Sequence, residues 1–251
     1  MNPLRLGDLT WQEAEDAIRR VDACVLPWGA LEQHGPHLPL DTDAAIATAL
    51  AERFATNSGP ELELLLLPTL VYGRSPEHMT FAGTISLSFD ALREVLHSVA
   101  ESLAAHHVRH LLVINAHGGN SDALASQLRE IRDRFQVIPM LFDIWRSKAL
   151  RQRAPRGDWH AGRTERSLYA ALVAKGRTGV GPDSTTPAST LSALASVAYP
   201  WRTEELTSTG AIGDPGEPDI AFGEEIVSAL LDELAVGLSG ALRLSSEETM
   251  S

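Results

Sequence analysis

The stretch RHLLVINAHGGN, Arg109 to Asn120, decides the fold class. Leu111 to Ile114 form a continuous apolar run ending in two β-branched residues, the composition of a strand covered on both faces. Such strands belong to parallel sheets, in which crossover helices cover both faces. A His, a Gly pair and then an amphipathic pattern follow, with Leu124, Leu128, Ile131 and Phe135 on one helical face. Asn120 or Ser121 is placed to cap that helix. Strand, glycine turn and helix in this order are one unit of an α/β protein.

The same alternation runs outward in both directions. ACVLPWG (23–29), ELLLLP (63–68) and QVIPMLFDI (136–144) read as further strands. AAIATALAERFA (44–55), the stretch from Phe89 to His106, TERSLYAALVAKG (164–176) and DIAFGEEIVSALLDELAVGLSGAL (219–242) carry helical periodicity. Residues 1–245 form one expected domain, with 246–251 as a frayed tail. From Arg177 to Pro218 the texture is Gly, Pro, Ser and Thr without a period. Tyr199, Trp201 and Ile212 favour an ordered covering segment over a linker.

The chain has 251 residues, 44% of them hydrophobic, enough for one sizeable core. It carries 21 Lys and Arg against 33 Asp and Glu, a formal charge of −12. That balance argues against nonspecific binding to nucleic acid or to an anionic membrane. Cys24 is alone and cannot form an internal disulfide, so a reducing cytoplasm is the expected compartment. No apolar run approaches the ~20 residues of a membrane span.

Chemistry concentrates in LPWGALEQHGPHLPLDTDAA (26–45), where Glu32, His34, His37, Asp41 and Asp43 stand among prolines and glycines. In an extended segment residues two apart face the same side, so Glu32 and His34 present a carboxylate and an imidazole to one point. Asp43, at the start of the next helix, can fold back onto it. His117 in NAHGGN lies at the carboxyl end of the central strand, where open parallel sheets bind ligands. A phosphate-binding turn is the rival for that motif, although it lacks the Lys of a P-loop. In DWHAGRTERS, His160 precedes Glu165, which alone reads rather as a helix-start carboxylate beside an incidental His; three such junctions in one α/β chain turn the reading toward a metal. Mixed carboxylate and imidazole sets suit Zn, Mn or Fe. Four of the nine histidines, His97, His106, His107 and His110, are expected as solvated helix-end residues.

EQHGPHLPLDTD, NAHGGN and HAGRTERS together resemble the creatininase (creatinine amidohydrolase) family, as do SPEHMTFAGTISLS (75–88) and GAIGDPGEP (210–218). The resemblance runs in order from about residue 22 to 225. It implies a three-layer α/β/α fold with a mostly parallel central sheet, and a centre of two divalent metal ions. Zinc would occupy one site and Zn, Mn or Fe the other. It implies hydrolysis of C–N bonds other than ordinary protein peptide bonds, and a homo-oligomer, commonly a hexamer, with the 177–218 segment as a place for subunit contacts.

Glu32, His34, Asp43 and His117 carry over as metal ligands, Asp43 as the bridge. Creatinine-hydrolysing members have a ligand Glu two residues after the His of the second motif, where this chain has Gly119. That makes creatinine itself an unexpected substrate and points to Glu165 as fifth ligand. His160 is expected to handle a proton or orient the substrate. His78, Trp159, Trp28, Asn115 and Arg166 are weaker substrate-binding candidates; Arg166 could clamp a substrate carboxylate or turn outward, and His37 reads as structural. The HGGN branch also includes peptidases of mycofactocin systems and formamide hydrolases, so the expected substrate is a small amide or a short peptide. A non-catalytic binding protein on the same scaffold is the remaining alternative.

Overall fold

A computed structural model describes residues 2–59, 62–173, 199–213 and 216–250. Five parallel strands form one sheet in the order β1-β3-β2-β4-β5: β1 (Leu4–Arg5), β2 (Ala23–Trp28), β3 (Leu64–Leu66), β4 (His110–Asn115) and β5 (Ile138–Asp143). Every residue of β2 is buried, as its unbroken apolar run requires. Successive side chains therefore enter different cores.

Ala23 and Val25 of β2, with Leu112 and Ile114 of β4, pack against α2 (Thr42–Asn57), α7 (Arg163–Val173) and α9 (Ile220–Met250). Cys24, Leu26 and Trp28, with Leu111 and Val113, pack on the other face against α3 (Phe89–Ala105), α4 (Ser121–Ala125) and α5 (Leu128–Phe135). This is the three-layer α/β/α arrangement. Burial pushes the Cys24 thiol up to about 12, an inert core side chain. Shorter helices are α1 (Trp11–Ile18), α6 (Lys148–Arg151) and α8 (Thr203–Leu206). Among the described residues no helix is long and apolar enough to cross a membrane.

Several expectations are modified. The helix read through SDALASQLREIRDRF is interrupted between α4 and α5. Neither Asn120 nor Ser121 caps it by a side chain, because the Asn120 amide is turned to the Arg74 N–H, at 2.9 Å, and the Gly29 carbonyl, at 3.0 Å. His97 is not solvated: it is buried edge-on to Phe135, with Nε2 3.2 Å from Gln127 Oε1. The tail expected to fray from residue 246 continues α9 to Met250. The proposed helix end at Gly176 and most of the 177–218 segment lie outside the described residues, whereas 199–213 forms ordered cover over the carboxyl edge of the sheet, with Ile212 buried.

One close approach fixes how the sheet meets its helices. A Cβ at Gly29, directly after β2, would collide with the backbone of Asp43 and Ala44. Only glycine lets the first turn of α2 cross the end of β2 at this distance. Gly29→Ala should cost about 1–3 kcal/mol in chemical denaturation, the range for overpacking; an unchanged midpoint would show that the junction yields freely.

Candidate active site

In this strand order β3 lies on one side of β2 and β4 on the other. The connections leaving β2 and β4 therefore diverge, opening a crevice at their carboxyl ends. Glu32 and His34 enter it from beyond β2, Asp43 from the first turn of α2, and His117 from beyond β4. His160 precedes α7 and Glu165 stands in its first turn. Glu32, His34 and Asp43 are each 1% exposed, His117 and Glu165 3%.

Hydrogen bonds to the backbone determine which imidazole nitrogens face the centre. His117 Nε2 lies 2.9 Å from the Arg74 carbonyl, which can only accept, so Nε2 carries the proton. Its Nδ1 then faces Asp43 Oδ2 at 2.9 Å and Glu32 Oε1 at 3.4 Å. His34 repeats the arrangement in the other tautomer. Nδ1 donates to the Glu32 carbonyl at 3.1 Å, and Nε2 faces Asp43 Oδ1 at 3.2 Å and Glu165 Oε1 at 3.6 Å. A nitrogen lone pair against carboxylate oxygens is repulsive, so a proton or a metal ion must lie between them. Among the described residues Glu32 Oε2 and Asp43 Oδ2 are buried without a hydrogen-bond partner.

The donor atoms form three compact groups, each within 4.8 Å: Glu32, Asp43 and His117; His34, Asp43 and Glu165; Glu32, His34 and His160. Asp43 belongs to the first two and turns one oxygen to each. Burial alone would push His34 and His117 down, but the carboxylates facing them outweigh it and hold both well above the usual imidazole range. Burial likewise favours a neutral Glu32, yet His117 and its neighbours keep that carboxyl well below its usual range. This donor set fits a metal ion.

Glu165 is held by the Ala161 N–H, which donates to Oε2 at 2.6 Å from a left-handed backbone, φ 55°. His160 is locked by paired backbone bonds to Ile212, at 2.9 and 2.8 Å. Its Nε2 lies 2.9 Å from the Gln33 carbonyl, and its Nδ1 faces Glu32 Oε1 at 3.7 Å. Burial first, then His34, lowers its proton affinity, leaving a neutral ring.

Gln33 went unnoticed in the sequence because an uncharged residue between two ligands carries no motif signal. Gly35 N donates to its Oε1 at 2.9 Å, which orients the amide. Nε2 then donates to the Gly210 carbonyl at 3.0 Å and to His78 Nδ1 at 2.8 Å. His78, pushed down to about 3 by burial, is thereby fixed as the tautomer whose Nε2–H points toward Glu32, at 3.6 Å. Gly210 has φ +90° and its Cβ would strike the Gln33 amide, so glycine is needed there.

Above these groups opens a cavity of about 690 Å³. His78 and Trp159 line it, joined by Trp145 and Trp201. Three candidates fall elsewhere. Trp28 is fully buried in the sheet core, its Nε1 donating to the Tyr72 carbonyl at 3.0 Å. Asn115 braces the loop after β4 by donating to the His117 carbonyl at 2.8 Å. Arg166 follows Glu165 on a helix and so projects from another side, donating to the Gly216 carbonyl at 3.1 Å. His37 is half-buried and off the cavity. Any side chain at Gly119 would meet the Arg74 carbonyl and the His117 ring, whereas Gly118 faces open space.

Replacing Gln33 by Ala removes the donor that fixes His78. Imidazole ¹⁵N spectra of the wild type should show His78 as a single Nε2–H tautomer, and those of Gln33→Ala a mixture. An unchanged spectrum would assign the tautomer to Thr203, whose Oγ1 lies 2.7 Å from the same nitrogen.

The creatininase (creatinine amidohydrolase) family model matches residues 7–237. The mycofactocin precursor peptide peptidase of Mycobacterium ulcerans (strain Agy99) is 32% identical over 237 residues, covering 91% of this chain and 89% of that protein. The creatinine amidohydrolase of Pseudomonas putida is 34% identical over 189 residues, 66% of this chain and 71% of that one. A solved structure described as "Creatininase Mn" superposes with a TM-score of 0.75 at 26% identity, over 96% of this chain and 99% of the other. From its match over nearly the whole length and the agreement in fold, the chain belongs to the creatininase family of hydrolases.

Proposed function

We propose that this chain is a metal-dependent amidohydrolase holding two divalent ions and cleaving a non-standard C–N bond in a small amide or a short peptide. One ion would be held by His34, Asp43 and Glu165, the other by Glu32, Asp43 and His117, with Asp43 as bridge. Zinc suits one site, and zinc, manganese or iron the other. The observation that carries this reading is that two imidazole lone pairs and four buried carboxylate oxygens converge on two groups sharing Asp43. Once bound, such ions acidify a water and polarise the substrate carbonyl.

The protein's own groups supply the remaining requirements. His160, neutral and fixed by Gln33 and Ile212, presents Nδ1 at the cavity wall, where it can take a proton from the attacking water and pass it to the departing nitrogen. His78 presents an N–H that can orient the substrate carbonyl. Trp145, Trp159 and Trp201 form apolar walls beside them. Trimming of a precursor peptide is the second reading, supported by the relative that covers 91% of the chain. In either case the assembly is read as a homo-oligomer, a hexamer by family resemblance, and a native mass near 27.1 kDa would refute that.

Asp43→Asn should lower metal content at both positions, and full occupancy in that variant would contradict the bridge. His160→Ala should keep the metals while turnover falls about 10²–10⁴-fold, the usual scale for a proton-transfer group; loss of metal instead would make His160 a ligand in the group it forms with Glu32 and His34. Without metal His34 and His117 hold their protons above the usual range, so an incoming ion must displace them. Metal affinity should therefore fall as pH is lowered, and protons should be released on binding near neutrality. Less than one divalent ion per chain, with no hydrolysis gained on adding zinc or manganese, overturns the reading in favour of a non-catalytic binding protein.

A further inference from the structure

We propose that Arg151 and Arg156 form an anion-recognising rim on this cavity, so that the substrate carries a carboxylate or phosphate on the end that is not cleaved. The inference rests on the hydrolytic reading of the floor and deepens it. Both residues line the same cavity as Glu32, Asp43 and His117. Neither guanidinium has an ion-pair or side-chain hydrogen-bond partner among the described residues.

Their neighbours on the same stretch are engaged. Arg146 pairs with Asp122, Arg153 with Glu225 at 3.0 Å, and Arg163 with Asp219 at 3.4 Å. Asp158, the acidic residue nearest in sequence, also lines the cavity, but its Oδ2 accepts from the Thr164 N–H at 2.7 Å. In a chain of net charge −12, two exposed arginines without a carboxylate partner among the described residues thus line an acidic pocket. Guanidinium groups match carboxylate and phosphate geometry through paired N–H donors. Trp145, Trp159 and Trp201 line the cavity along with the arginines and the floor. The surface therefore offers a cationic rim, apolar walls and a carbonyl-polarising floor, which suits an anion, an apolar body and an amide on one molecule. A small neutral amide would leave the rim unused.

The test uses the metal-loaded protein and the change in tryptophan fluorescence on titration. The probes are N-acetylphenylalanine, its uncharged carboxamide, and phenyl phosphate. The free acid should bind about tenfold or more tightly than the carboxamide, the scale of a charged hydrogen bond, with the preference shrinking as salt is raised. In R151A/R156A it should fall to within about threefold, while R151K/R156K keeps part of it because charge survives without the fork. Phenyl phosphate binding tighter than the acid assigns the rim to phosphate, and weaker binding assigns it to carboxylate. Equal binding of acid and carboxamide, no binding of either, or a preference that survives R151A/R156A overturns the proposal. Metal content and hydrolysis are measured on the same samples. A preserved acid preference in protein that neither retains metal nor hydrolyses amides would sink the hydrolase reading and leave the rim standing.

Discussion

Three carboxylates, Glu32, Asp43 and Glu165, are taken out of water at one point and faced with imidazole nitrogens whose protons are committed elsewhere. Burying uncompensated charge is among the costliest things a fold can do. A positive charge must therefore enter the cluster, and much of the surrounding architecture consists of arrangements that make the cluster possible without it. The Arg74 and Glu32 carbonyls choose the tautomers, the Ala161 amide holds Glu165, and Asn115 and Asn120 brace the loops.

The sheet topology supplies the convergence. Glu32, His34 and Asp43 meet His117, distant in the chain, because β2 and β4 are neighbours in register, Trp28 opposite Asn115, while the chain leaves β2 toward the other side. The centre thus draws on several connections of one sheet, those that follow β2, β4 and β5. Gly29, Gly119 and Gly210 are among the places where backbone or side-chain atoms pass too closely for any Cβ.

Much of this was legible in the residues. The strands β2, β4 and β5 announce themselves by unbroken apolar runs, and α3 by its stripe. Glu32, His34, Asp43 and His117 stand out because carboxylates and imidazoles in proline- and glycine-rich junctions have few structural uses. Other features escaped for definable reasons. The strand β1 spans only Leu4–Arg5 and carries no period. The helix α1 is started by a Thr10–Glu13 capping box, a short local signature with no long apolar stripe behind it. Trp28 has the chemistry of a pocket wall, whereas strand alternation puts it in the core with Cys24 and Leu26. Gln33, Arg151 and Arg156 depend on contacts, or their absence, with residues far away in the chain, which no local pattern encodes.

The cavity floor and the pocket walls come from different kinds of structure. Most of the floor hangs on strand ends and helix starts anchored in both cores, while Trp145, Arg151, Arg156, Trp159 and Trp201 stand on the short turns and segments of 144–160 and 199–213. Substitutions in those segments can reshape what is admitted while leaving the floor's bonding intact. This division leaves room for relatives within one family to diverge in diet, as do a protein named for creatinine and one named for a precursor peptide.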